Sequence, residues 1–472
     1  MMLRPPVVSP PAVFLNIALA FGVILVLLTP PFQSPDEHLH FYRALQIADG
    51  HLIASQQKGD CYGYSRYFED DLCLGGELPK SVLTTVRNVS QTDLRFDLNQ
   101  RQQPQDILNL LPLPLHPQQR LFINFKTTAL HSPIPYLPQA LGIVVGKALH
   151  LSPLGLMYLG RFSNLGVWLL AVTLSIRLTP VNPWLWVALA LTPMSLFQAA
   201  SLSVDVLTNG VAFLFVAWAL QQGMPDKTSQ RLTLQEIVAF GGLAIALSLA
   251  KLAYFPLVFV VFLIPRRRFG PRRRYWLSLG GIILGSLLAV GLWSQVVSQI
   301  YIPLHPELSP QAQIEYVLGH PLQFVATLGR TAITQGGELA RQFIGVLGWL
   351  DTPLPQGLIV SYWGVLAWLA LVTPTPSRDL RWSQRSWLAI AALSSILVLC
   401  SLAYLWNFVG DPIIGGLQGR YLIPIAPLLG LLPSQRPWRS LPELPPWLLI
   451  GYLLVSLTLT SWVLAQRYYG PV

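Results

Sequence analysis

Residues 30–50, PPFQSPDEHLHFYRALQIADG, place carboxylates, histidines and an arginine on neighbouring turns, a set able to move a proton beside a bound anion. Ser34 offers an N-cap, Pro35 suits the first helical position and Glu37 completes a Ser-x-x-Glu capping box. A helix is therefore predicted to about Ala48, with a stop at Gly50. On helical geometry Asp36, His40 and Arg43 share one face. In one reading Asp36 is a general base and Arg43 holds a phosphate. In the other, Glu37 only caps, Asp36 only favours the helix N-terminus, and His40 and Arg43 only meet lipid headgroups. Adjacent carboxylates on a helix diverge by about 100°, so Asp36 and Glu37 make a poor acid/base pair of the glycoside-hydrolase kind. One base suits a transferase whose leaving group is an already ionised phosphate.

Further polar residues stand out against apolar surroundings. Asp205 closes Ser-Leu-Ser-Val-Asp, either as a helix N-cap or as a second carboxylate. Lys251 and Arg420 are cations at span ends, either snorkelling or forming a pocket for a lipid-linked phosphate with Arg43. Asp351, in GWLDTPLP, either makes a turn with Thr352 or contacts substrate. His131 and Lys126 precede a hydrophobic stretch as possible phosphate contacts. Cys61 and Cys73 lie in the first loop, either disulfide-bonded or as two free thiols. There is no phosphate-cradling glycine loop, Cys/His metal cluster or nucleophile elbow, so ATP hydrolysis and structural zinc are not expected; no resident cofactor is called for, and a divalent metal is left open.

What must position these residues is a bilayer protein. Of 472 residues 53% are hydrophobic and 11% charged, with a mean hydropathy of +0.50. Stretches such as Pro11 to Leu28, Leu277 to Val297, Leu388 to Leu405 and Trp447 to Leu464 are each long enough to cross a core of about 30 Å. The first is read as a retained span rather than a signal peptide. The net charge of +10 is concentrated in short connectors, at Arg266 to Arg268, Arg272 to Arg274 and Arg378 to Arg385, which is the positive-inside pattern and argues against nucleic acid as a partner.

With the N-terminus inside, charge parity makes Ile134 to Leu149 interfacial and divides Glu236 to Ile264 into two short crossings with Lys251 at the outer turn, since an unpaired charge in mid-bilayer is costly. The expected fold is an all-α polytopic membrane protein of about eleven spans, C-terminus outside. This threading, chosen on positive charge alone, gathers Asp36, Glu37, Asp205, Lys251, Asp351 and Arg420 on the extracytoplasmic face.

At these residues the chain resembles the bacterial membrane-protein family called domain of unknown function 2142, through PPFQSPDEHLHFYRA, HSPIPYLP, RFSN, PMSLFQAASLSVD, KLAYFP, GWLDTPLP and QGRYLIP, across most of its length. That family in turn is similar to the GT-C superfamily of membrane glycosyltransferases, which have a long first outer loop with juxtamembrane helices and an acidic residue just after the first span. The resemblance implies a GT-C-like module over residues 1–299 with outer loop 30–155, a C-terminal module over 300–472 with outer loop 300–353, and a place in the bacterial inner membrane. It implies Asp36 as base with Glu37 beside it, Asp205 as the second acidic position, and Arg43 and Lys251 on a lipid phosphate. His131-Ser-Pro-Ile-Pro departs from the superfamily pattern, which has a basic residue followed directly by two prolines.

The leading expectation is an inverting glycosyltransferase taking a sugar from a polyprenyl-phosphate donor to an envelope glycan, lipid or protein acceptor, with membrane lipids as surroundings. The alternative is a lipid-linked oligosaccharide transporter or a non-catalytic partner in polysaccharide assembly, which would spread polar residues through the depth of the membrane.

Overall fold

A computed structural model describes residues 9–63, 72–89, 94–95, 97–224, 231–303, 307–372, 380–433 and 442–471. Arg4, Lys227 and Arg378, whose charges entered the threading, lie outside these residues. Pro10 opens helix α1 (Pro10–Leu28), and a sharp corner leads into α2 (Glu37–Ala48). The first loop then forms a small sheet that the sequence did not announce. Ser55–Lys58 and Arg120–Asn124 run antiparallel on either side of Leu72–Pro79, with Ser55 opposite Gly75 and Gly75 opposite Asn124, and Tyr62–Gly63 adds in parallel at Ile123. A disulfide joins Cys61 to Cys73, and Gln46 of α2 donates to the Gly75 carbonyl at 3.2 Å.

Helix α3 (Leu137–Ala148) is about 18 Å long, too short to cross a bilayer. Its Lys147 pairs with Asp49, which also takes Arg120 at 2.7 Å. Helix α4 (Pro153–Leu178) starts on a Ser152 cap with Pro153 at its first position. Two short helices, Pro183–Ala190 and Pro193–Ala199, precede α5 (Asp205–Gly223).

A capping box between Thr233 and Glu236 launches α6 (Leu234–Ala250). It stops where charge parity expected a turn: Lys251 is extended (φ −158°, ψ 116°), and Leu252–Leu263 continues as a twelve-residue 3₁₀ segment containing Pro256. Next come α7 (Arg272–Ile300), the amphipathic α8 (Pro321–Gly345), α9 (Gln356–Leu371) and α10 (Trp382–Tyr404). A Gly419–Ile425 3₁₀ turn runs into the short helix Ala426–Leu431, and α11 (Pro446–Tyr469) closes the described chain. Helices α1, α4, α5, α7, α10 and α11 are long and apolar enough to cross a membrane, and four shorter apolar segments accompany them.

Hydrogen bonds between connectors fall into two groups, at opposite ends of the helices. At one end Leu232 N donates to Arg268 O (2.7 Å), Arg274 to Leu232 O (2.7 Å) and Gln384 to Gly223 O (3.1 Å). At the other, Gln102 N donates to Tyr468 O (2.8 Å), Trp349 to Phe32 O (3.4 Å) and Tyr254 to Tyr421 O (2.8 Å). The first group holds the arginine-rich turns and the second holds the acidic and cationic residues singled out above.

Candidate functional site

The corner between α1 and α2 is organised by Arg161, fully buried nine residues into α4. Its guanidinium donates to the carbonyls of Val26 (2.9 Å), Thr29 (2.7 Å) and Pro30 (3.0 Å), groups left without intrahelical donors where α1 ends. Its other N–H groups grip Glu37 at 2.8 and 2.5 Å. The Glu37 carboxylate also accepts from the amides of Phe32 (3.0 Å) and Leu202 (3.1 Å). This corrects the expected cap. Glu37 does reach back along the chain, but the buried arginine and the Phe32 amide hold it, so the helix starts at Glu37 rather than Pro35 and Ser34 is not its cap.

Asp36 is the N-cap residue, in the left-handed region (φ 58°, ψ 14°), yet its side chain makes no capping hydrogen bond. Asp tolerates that region better than most side chains, at a cost of about 1–2 kcal/mol. Among the described residues its carboxylate accepts no hydrogen bond; burial raises its pKa, and the charges of Arg420 and Arg95 oppose the rise.

One turn on, His40 Nδ1 meets the Tyr136 hydroxyl at 2.9 Å, with the His131 ring 6.4 Å from each of their rings. Facing them, Asp205 opens α5 and pairs with Lys251 at 3.3 Å and Arg420 at 3.7 Å. Lys251 lies over the Tyr421 ring at 3.8 Å. Arg420 is 6% exposed, and its Nε and Nη1 make no hydrogen bond among the described residues. The Asp205 carboxylate stands beside Nε, whereas Nη1 is a buried donor without an acceptor; that is costly, and a bound anion there would remove the cost.

The fold thus brings Asp36, His40, His131, Asp205, Lys251 and Arg420 together from distant parts of the chain. It does not bring in all the candidates. Arg43 is spent on the carbonyls of Leu52 (2.8 Å) and His131 (3.2 Å) and on Gln46, with burial pushing its pKa down to about 10. Asp351 accepts from Trp349 N (3.1 Å) and Thr352 Oγ1 (3.0 Å) and pairs with Arg467 (3.1 Å), as the turn reading expected. Lys126 is buried within the loop. Sequence reasoning passed over Tyr136, Arg95 and Arg161. A lone arginine in an apolar helix was a usable signal for Arg161; Arg95, in patternless loop sequence, carried none. Among the described residues no three His, Cys, Asp or Glu side chains cluster as a metal site would need.

Two expectations follow from this geometry. At Gly348 (φ 61°) an added Cβ would press on Asp351 Oδ1 and on the hydroxyls of Thr352 and Tyr468. Gly348→Ala is therefore expected to lose about 1–3 kcal/mol of stability, read as a lower melting temperature in detergent.

The second concerns pH. Burial first, then Lys251, pushes His131 down to about 4, and burial with Arg95 pushes His38 to about 3. Between those values and the ordinary 6.5 the unfolded chain binds more protons, so stability present above pH 6.5 drains away as pH falls. The slope is up to about 1.4 kcal/mol per pH unit for each histidine. Asp36, with its raised pKa, works in the opposite sense but is one group against three, because burial holds His40 well below 6.5 as well. Melting temperature should drop from pH 7 to pH 5, and His131→Gln should flatten that drop.

A family model described as "Predicted membrane protein (DUF2142)" matches residues 19–429. No curated protein matches the chain, and no solved structure does.

Proposed function

The chain belongs to the DUF2142 family of predicted membrane proteins, and from that premise we propose that it is an inverting glycosyltransferase working on the extracytoplasmic face of the bacterial inner membrane. The observation that carries this reading is that the Asp36 carboxylate, which takes no capping hydrogen bond, feels the charge of a buried arginine, Arg420, whose Nη1 has no hydrogen-bond acceptor among the described residues. The acceptor hydroxyl gives its proton to Asp36 as its oxygen bonds to the anomeric carbon of a polyprenyl-phosphate sugar. The bond from that carbon to the phosphate oxygen breaks, and polyprenyl phosphate leaves with the electron pair. Arg420 and Lys251 stabilise the departing charge, and Asp205 orients both. A raised pKa makes Asp36 the stronger base. His40 and His131, neutral above pH 6.5, would face acceptor or donor hydroxyls without adding charge. Glu37, held by Arg161, and Arg43, held by carbonyls, are assigned to scaffolding rather than to the roles the superfamily resemblance implied.

In the same reading the six long helices, the four shorter apolar segments and the broken Pro183–Ala199 pair give eleven crossings, N-terminus inside and C-terminus outside. The Cys61–Cys73 disulfide fits a loop in an oxidising compartment. Mass spectrometry of lipid-linked sugars and envelope glycans in a deletion strain tests the assignment. One polyprenyl-phosphate sugar should accumulate while the matching sugar disappears from a glycan; unchanged pools of both would remove it.

A further inference from the structure

Far from the acidic cluster, at the arginine-rich end of the helices, α6 and α7 enclose a groove of about 570 Å³. Leu234, Ile237 and Val238 form one wall, Leu277 and Ile282 the other, and Gly241 and Gly281 leave its floor low. A Cβ at Gly281 would meet nothing within 4 Å. Leu234 (70%), Val238 (64%) and Leu277 (64%) are widely exposed, so the trough is open to an apolar occupant.

The mouth is formed by Pro271, Arg273 and Arg274. Helix α7 opens on three successive arginines with no acidic residue in its first turn. Cations there add to the positive end of the helix dipole instead of opposing it, an arrangement that an anion relieves. Among the described residues, the nearby Glu236 is turned onto the Thr233 amide and hydroxyl (2.7 and 3.0 Å) instead of supplying that anion, and Arg274 is committed to Leu232 O. Arg273 stays exposed at the rim. A cationic rim over an apolar trough matches a molecule with an anionic head and hydrocarbon tails.

We propose that this groove binds an anionic glycerophospholipid, its phosphate on Arg273 and the first-turn amides of α7, and one acyl chain along the trough between α6 and α7. The site is separate from the proposed transfer chemistry and stands or falls independently of it.

Native mass spectrometry of the delipidated full chain, titrated with phosphatidylglycerol and separately with phosphatidylcholine of the same acyl composition, tests the site. One phosphatidylglycerol per chain should bind, and Arg273→Gln should weaken it roughly fivefold. Gly281→Leu, which fills the trough, should weaken it as well, while Arg87→Gln, which removes a charge from the first loop, should leave it unchanged. Equal retention of phosphatidylcholine would overturn the proposal, as would indifference to Arg273→Gln. Loss in Arg273→Gln without loss in Gly281→Leu would mean a headgroup contact alone and would overturn the groove.

Discussion

Arg161→Ala is expected to cost about 3–5 kcal/mol, because it strands the buried Glu37 carboxylate as an unpaired charge. The same change leaves the carbonyls of Val26, Thr29 and Pro30 without their donor. Folded membrane proteins have little reserve against a loss of that size, so a melting temperature lower by on the order of 5–10 °C, or failure to fold, is the anticipated outcome. Pairing the change with Glu37→Gln should recover part of the loss, since no buried charge is then abandoned. Arg161→Lys should not rescue it, because an ammonium cannot present a planar fork to two carboxylate oxygens and three carbonyls at once. Thermal scans of the purified variants decide the matter, and a melting point within a degree or so of wild type would mean the knot is dispensable.

Asp36→Asn should carry the largest loss of activity, on the order of 10²–10⁴-fold in turnover, with little change in donor affinity, if Asp36 accepts the acceptor proton. Asparagine is the informative replacement because it tolerates the left-handed backbone (φ 58°) that Asp36 occupies, so folding is preserved while the base is lost. Asp36→Ala mixes the two effects, adding backbone strain of about 1 kcal/mol. The assay is transfer from a polyprenyl-phosphate sugar in proteoliposomes, alongside a melting curve. Turnover near wild type in a folded Asp36→Asn protein would take Asp36 out of the chemistry. Transport of lipid-linked sugar without any product would favour the transporter alternative instead.

The large features were legible because bilayer physics leaves few options. The bend at Lys251 came from charge parity and the expense of a cation in hydrocarbon, and the chain does break there. The short α3, with Lys147 paired to Asp49, is of interfacial length, as parity required. The loop sheet was hidden because Leu-Cys-Leu-Gly-Gly-Glu-Leu-Pro in the Leu72–Pro79 strand lacks clean alternation, and its partner at Arg120–Asn124 lies far along the chain. The Ser34 cap failed for a related reason: local capping rules do not know that Arg161, 124 residues later, competes for the same carboxylate. Of the site, the residue types were visible one by one. Their separation into an open group around Asp36 and an engaged group of Glu37, Arg43 and Asp351 depends on who donates to whom across the fold, which spacing along the chain does not encode.

The 3₁₀ run after Lys251 works as a ruler. Rising about 2.0 Å per residue, its twelve residues reach about 6 Å farther than the same length of α-helix would. Pro256, whose ring would strike the carbonyl four residues back in an α-helix, favours the drawn-out form, and Phe262 stacks on Trp387 of α10 at 4.4 Å. Rewound into ordinary helix, the segment would shorten by more than the 3.3 Å that separates Lys251 from Asp205, so with its far end fixed Lys251 would have to part from either Asp205 or the end of α6 that caps on it.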